Sequence, residues 1–335
     1  MELNTATLND FVRLAGIIFE KQKMSLPTDA RSSGIFAEES IPEQSGDIRE
    51  YSEIDPEEYA KKKGEGDQAQ RARVQQGYSK EMRPYRFALD IGITYEMRSR
   101  NKYPKVIAGL TSLARQAINR MELDLTHRLT FGTATAYTDM DGDSIDVTVG
   151  DTLALFSTVH TLRGSSTTYR NRLANNPQLS RGALEGMERL VVEETLNMFG
   201  EKVVMPFDVL WVGDDPNTIN IALELLQSTA SVEGTNAGVT NVYKSKYRLV
   251  KFTRLATDAN GAVDATKRKY WGLSSSLYPS LRLGVWEEPR LKVPGNLNAG
   301  EEFSTDDWNF GVRGGWGICG LSGAGIKFSS GDGVA

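Results

Sequence analysis

Between Pro104 and Leu129, the residues Ile107, Leu110, Ala114, Ile118, Met121, Leu125 and Leu129 recur at helical spacing and form one apolar stripe. Pro104 suits the first turn of a helix, where its missing N–H costs nothing, and Gly132 offers a stop. A helix over 104–129 would be a rod of roughly 39 Å, longer than most helices of globular proteins, so the rest of the chain must be arranged along it. Just before it, Phe87, Leu89, Ile91, Ile93, Tyr95 and Met97 alternate with other residues. That period of two predicts a half-buried strand over 87–97.

Upstream, Leu8, Phe11, Val12, Ala15, Ile18 and Phe19 share one helical face. They predict an amphipathic helix that needs a partner surface, and the apolar run 14–19 is too short for a signal core or a bilayer span. Residues 25–46 lack periodicity and read as an extended arm. Downstream, 133–150 is turn-rich. A helix is predicted over 180–198, capped by Ser180, with Leu184, Met187, Leu190, Val191 and Leu196 inside. Val209–Val212 reads as a buried strand, and Asp214-Asp215-Pro216 opens a third helix reaching Gln227. Strands are predicted near 247–255, 270–275, 280–286 and 310–319, and the last ten residues are rich in glycine and serine.

Composition matters most in one segment. Of the 37 residues from Asp47 to Arg83, nine are acidic and eight basic, and the large aliphatics are only Ile48, Ile54, Val74 and Met82. So few apolar groups cannot hold a core of their own, so order here must come from a surface outside the segment. A neighbouring subunit is the candidate. The charged residues that could make such contacts are Arg49, Glu50, Glu53, Glu57, Glu58, Lys61, Lys62, Lys63, Arg71, Arg73 and Arg83.

Candidate chemistry is sparse. The chain has two histidines, one cysteine and a net charge of −5. That leaves no disulfide or thiolate metal cluster, and argues against a protein whose main task is gripping phosphate backbones. His160 follows Ser157 by three residues, but no Gly-x-Ser-x-Gly turn exposes the serine, so a histidine bonded into a turn is the better reading than a catalytic base. His127 falls opposite the apolar stripe of the long helix, which predicts solvent or a subunit contact. The segment 139–146 (DMDGDSID) resembles a calcium loop, yet Ser144 and Gly150 stand where glycine and glutamate are required. A carboxylate-rich turn is expected there. Gly315, Gly317 and Gly320 match the spacing of a dinucleotide fingerprint, but too little chain follows for a βαβ unit, so these glycines serve close packing in or beside a strand. No cofactor or metal is expected.

The order of parts resembles the major capsid proteins of tailed bacteriophages, the Hong Kong 97 fold. An arm leads to a charged excursion, and the strand FALDIGITYEM (87–97) feeds a long helix. LFSTVH (155–160), VLWVGDDPNTINIALELLQS (209–228) and WNFGVRGGWGICGLSGAGIKFSSG (308–331) are similar to phrases of that family. The resemblance implies an α+β fold. It would have an N-terminal arm (1–46), an extended loop (47–86), a peripheral domain (87–184 and 281–335) with a spine helix at 104–131, and an axial domain (185–280). It also implies self-assembly into hexamers and pentamers of an icosahedral shell around double-stranded DNA, built in the host cytoplasm and found in the virion. Portal, scaffolding and decoration proteins are the implied partners, with no membrane and no catalysis. The short arm implies that no N-terminal scaffolding region is removed. The alternatives are an encapsulin-type cargo shell and a hydrolase using Ser157 and His160.

Overall fold

The computed structural model describes residues 5–42, 48–56, 62–69, 74–100, 103–230, 240–293 and 307–333. In chain order, α1 (Thr5–Ser25) is followed by a short 3₁₀ turn and β1 (Phe36–Ser40). A hairpin of β2 (Arg49–Pro56) and β3 (Val74–Met82) precedes β4 (Tyr85–Ile93), the short α2 (Tyr95–Ser99) and the long α3 (Tyr103–Thr130). Two small hairpins follow: β5 (Ala136–Thr138) with β6 (Ser144–Asp146), and β7 (His160–Leu162) with β8 (Ser165–Tyr169). The remainder holds α4 (Arg181–Glu193), β9 (Val209–Val212), α5 (Pro216–Gln227), β10 (Arg248–Lys251), β11 (Trp271–Ser274), β12 (Leu281–Lys292), β13 (Trp308–Gly320) and β14 (Ile326–Ser329). The class is α+β.

Two four-stranded sheets organise the chain. The first has the order β1-β12-β13-β4, with β1 parallel to β12 and the other pairs antiparallel. The second has the order β10-β9-β11-β14, with β10 parallel to β9. Within the arm, Phe36–Ser40 is extended, and as β1 it joins an edge of the first sheet, whereas Arg31–Ser33 form a 3₁₀ turn and 43–46 lie outside the described residues. Glu122 of α3 fixes the bend before β1: its buried carboxylate accepts from the backbone N–H of Ala30 at 2.8 Å and of Arg31 at 3.3 Å.

The apolar stripe of α3 behaves as its spacing demands. Leu110, Ala114, Ile118, Met121, Leu125 and Leu129 are buried. Near the N-terminal end, Leu110 packs with Ala15 of α1 and with Ile93, Trp308 and Phe310 of the first sheet. This gives α1 its partner surface. Nearer the C-terminal end, Met121, Leu125 and Leu129 join a core that runs through both sheets, centred on Trp211, Phe156 and Phe328. Phe156 and Phe328 stack at 4.2 Å between centroids. A second cluster forms where α4 and α5 cover β9 and β11. Both caps are those the sequence marks: Ser180 accepts from the N–H of Ala183, and Asp215 from that of Thr218, with Pro216 opening α5.

Several expectations need correction. The strand over 87–97 ends at Ile93, and α2 takes Tyr95 and Met97. Leu89 is exposed, at 48%, because β4 is an edge strand that its neighbours cover only in part, and Tyr95, at 57%, lies beyond the sheet at the start of α2. The second helix stops at Glu193 rather than Met198. A turn at Asn197–Gly200 pulls the chain away; the Asn197 side chain accepts from the N–H groups of Phe199 and Glu201, and Leu196 bridges back to Lys202. The glycine- and serine-rich end holds β14, fully buried against β11.

His127 is also corrected. It is 2% exposed, not solvated, with Nε2 at 3.1 Å from the Thr257 hydroxyl and its ring edge-on to Phe131 and Tyr137. A helical wheel sees one apolar face, but the loop around Leu255, Thr257 and Lys267 covers a second. Burial, with the charges of Lys267 and Arg120, lowers this imidazole to about 4.

Candidate assembly surface

The charged excursion folds as the β2–β3 hairpin, paired from Arg49 opposite Met82 to Pro56 opposite Val74, with a register shift between Ser52 and Ile54. Its root is bound tightly to the rest of the chain. Met82 and Tyr51 are buried with Ile41 and Cys319. The Tyr51 hydroxyl donates to Glu39 at 2.9 Å, and burial together with that bond pushes the phenol up to about 12. Lys80 Nζ donates to Asp146 and to the Thr148 hydroxyl, each at 2.6 Å. Burial alone would raise the Asp146 carboxyl, but the bonds from Lys80 and Thr148 outweigh it and hold the group low. Arg163 donates to the Gly77 carbonyl at 2.7 Å, and the Tyr78 and Thr161 hydroxyls meet at 2.9 Å.

Gly317 explains how the root can cross β13. A Cβ there would stand 3.0 Å from both Met82 Cγ and Pro84 Cα. The fingerprint-like glycines therefore lie inside a strand and serve close packing.

Away from the root, the described stretch is uncovered. Residues 62–69 are all exposed, and an Asp67 N–H to Gly64 carbonyl bond of 3.2 Å turns the chain there. The candidate contact residues are distributed along this gradient. Arg49 pairs with Glu39 of the same chain. Glu50 is exposed and sits directly opposite Glu81, which pairs at 3.5 Å with the exposed Arg83. Two carboxylates directly opposite on one sheet face repel, so this pair favours any cation that approaches. Glu53 lies at the register shift and has a partner of its own. Lys62 and Lys63 are exposed near the tip. Glu57, Glu58, Lys61, Arg71 and Arg73 lie outside the described residues.

Sequence reasoning missed the anchors Tyr51, Tyr78, Lys80 and Arg163. The alternation of Tyr78, Lys80 and Met82 is a period-two signal that marks one face of β3.

The geometry does not bring Ser157 and His160 together as nucleophile and base. His160 is fully buried, bonded through Nδ1 to Asp151 at 2.8 Å and stacked on Tyr169 at 4.9 Å. The Ser157 hydroxyl bonds the backbone of Val159, donating to its carbonyl at 3.2 Å and accepting from its N–H at 3.1 Å. His160 and Asp151 fasten the start of β7, since Asp151 also accepts from the Thr161 N–H at 3.2 Å. The aspartate-rich segment is a turn: Asp139 accepts from the N–H groups of Asp141 and Asp143, and Arg120 pairs with Asp139 and Asp141. Among the described residues, no helix is long and apolar enough to cross a membrane.

No protein-family model matches the sequence, and no curated protein does. Solved structures do. The chain is similar to the capsid of cyanophage P-SCSP1u, at 10% identity over 88% of this chain and 85% of that one, with a TM-score of 0.49. It is similar to the procapsid of bacteriophage JBD30, at 10% identity over 98% and 76%, with a TM-score of 0.46. It is also similar to a virus-like particle from Pyrococcus furiosus, at 13% identity over 95% and 98%, with a TM-score of 0.45.

Proposed function

We propose that this chain is the shell-forming subunit of a tailed-bacteriophage head: a major capsid protein that assembles into hexamers and pentamers around double-stranded DNA. The observation that carries this reading is the β2–β3 hairpin, fixed to the body at its root and bare from 62 to 69. The described stretch 62–69 has no cover within its own subunit, and in this reading it gains its worth by lying on another. In this reading 1–46 is the N-terminal arm, 47–86 the extended loop, 87–184 with 281–335 the peripheral domain, and 185–280 the axial domain. The fold itself blurs those limits, since α4 straddles 184 and β14 joins the sheet of 185–280. Arg49, Glu50, Glu53, Lys62, Lys63 and Arg83 would contribute contacts between subunits, along with the charged residues nearer the tip.

The role is structural rather than catalytic. A net charge of −5 fits a wall that must release DNA. Portal, scaffolding and decoration proteins would be the partners in the host cytoplasm and the virion. Negative-stain images of the purified protein provide the test: closed shells or capsomer rings are expected. A chain that stays monomeric across protein and salt concentration would rule the reading out. An encapsulin-type cargo shell is the second reading, and nuclease-protected DNA inside native particles separates the two.

A further inference from the structure

β4 is an outer strand of the first sheet. It is bonded to β13 on one side, and among the described residues no hydrogen bond reaches its other side. Every second N–H and C=O of such a strand faces outward, and edges are normally protected by brevity, bulges, proline or lysine. β1, at the opposite edge, is five residues long and carries Glu38 and Glu39, which pair with Arg31 and Arg49. β4 has none of these devices. It is nine residues long, its register with β13 runs unbroken from Ile93 opposite Trp308 to Tyr85 opposite Trp316, and Pro84 stands outside it. Tyr85 and Leu89 are both half-exposed along it. A cleft of about 540 Å³, bounded by Phe87, Leu89, Ala117 and Met140, separates this edge from α3 and the β5–β6 turn and leaves its approach open.

The strand is also complementary to itself. Set antiparallel to a second copy about a two-fold axis at Ala88, it places Arg86 opposite Asp90, Phe87 opposite Leu89 and Tyr85 opposite Ile91. Phe87 and Ile91 face α3, so alternation puts Arg86 and Asp90 on the other face, where Arg86 lies 4.7 Å over the ring of Trp286. Both charges are exposed, and neither has an ion pair among the described residues. A one-residue slip would turn the apolar face of one copy to the polar face of the other. An axis at Phe87 or Leu89 would leave both charges opposite uncharged residues. We propose that two copies of the chain join edge to edge through β4, antiparallel about Ala88, so that two four-stranded sheets become one of eight strands. The contact is isologous, each copy offering the same surface. It uses no residue of the β2–β3 hairpin and stands whether or not shells form.

Thiol trapping tests the register. In a Cys319→Ser background, Ala88→Cys puts two thiols directly across the axis, with Cα atoms about 4.5–5.5 Å apart, within disulfide range. Arg86→Cys or Asp90→Cys alone leaves like thiols about 13 Å apart, whereas a mixture of the two chains brings unlike thiols opposite each other. Mild oxidation should dimerise Ala88→Cys, and the mixture, at least about tenfold faster than either single chain. Charge exchange gives a second readout, by sedimentation equilibrium below the concentration at which particles form. Arg86→Asp or Asp90→Arg sets like charges opposite each other and should weaken the dimer about tenfold, while both in one chain should restore it to within about threefold. Circular dichroism should stay unchanged throughout. Where the wild-type dimer is too weak to sediment, the trapping rates decide. Ala88→Cys that crosslinks no faster than the single controls, or charge losses that simply add in the double variant, would overturn the proposal. A trapped Ala88→Cys dimer from a protein that forms no particles would support the contact and count against the shell reading alone.

Discussion

Lys327 offers a direct check on how the end of the chain is packed. It lies on β14 with no exposed surface, and its Nζ donates to the Glu194 carbonyl at 3.0 Å and more weakly to that of Arg170 at 3.5 Å. It thereby satisfies a carbonyl at the C-terminal end of α4. Burial lowers the amine from 10.5 to about 7, against the opposing pull of Glu194. Below pH 7 both folded and unfolded chains hold the proton, and the folded chain bears the full cost of a buried charge. Between pH 7 and 10.5 the unfolded chain holds more protons, so this group makes stability rise with pH. At about 1.4 kcal/mol per tenfold in proton affinity, the rise is roughly 5 kcal/mol. Lys327→Met removes it and leaves a carbonyl unsatisfied, at about 1–3 kcal/mol. The variant should therefore be the more stable protein at about pH 6.5 and the less stable one at about pH 10. Other alkaline titrations, such as the Cys319 thiol that burial raises to about 11, occur in both proteins and cancel in the difference. Urea unfolding of the unassembled chains across this range reads the difference. A difference that does not change with pH would refute the argument.

Leu110→Asp places a carboxylate among Ala15, Ile93, Trp308 and Phe310 at a site 1% exposed, and should abolish soluble expression, because such a burial costs several kcal/mol. Ile118→Asp should do the same from the same stripe, and soluble, assembling protein from either would contradict the packing. Gly317→Val should lower the melting temperature, at a cost of about 1–3 kcal/mol, by pushing Met82 and Pro84 off β13; calorimetry measures it. His160→Ala strands the buried Asp151 and should destabilise by about 3 kcal/mol, whereas Ser157→Ala should cost under about 1 kcal/mol. Equal effects, or an esterase activity lost in both, would revive the hydrolase.

What is legible in the sequence follows from how local each cause is. The stripe of α3, the caps Ser180 and Asp215, and the run Val209–Val212 carry their own periods and end signals, and the chain folds accordingly. The charged hairpin is legible from what it lacks, since so few aliphatics cannot make a core. Facts that need a distant neighbour are not legible. His127 is buried by a loop more than 120 residues away, with Thr257 as its partner. β14 hides among glycines and serines because only Ile326 and Phe328 mark its inner face.

The central claim is that the hairpin tip joins subunits. Replacing 57–73 with a short Gly-Ser turn removes the tip but keeps the root contacts of Tyr51, Lys80 and Met82. Sedimentation of this protein beside wild type, under conditions where wild type forms particles, is the measurement. The account predicts a folded chain with wild-type circular dichroism that sediments as monomer or small oligomer. It also predicts that raised salt weakens wild-type assembly in the same direction, since screening acts on exposed charge pairs. Particles of normal size and yield from the truncated chain would contradict it.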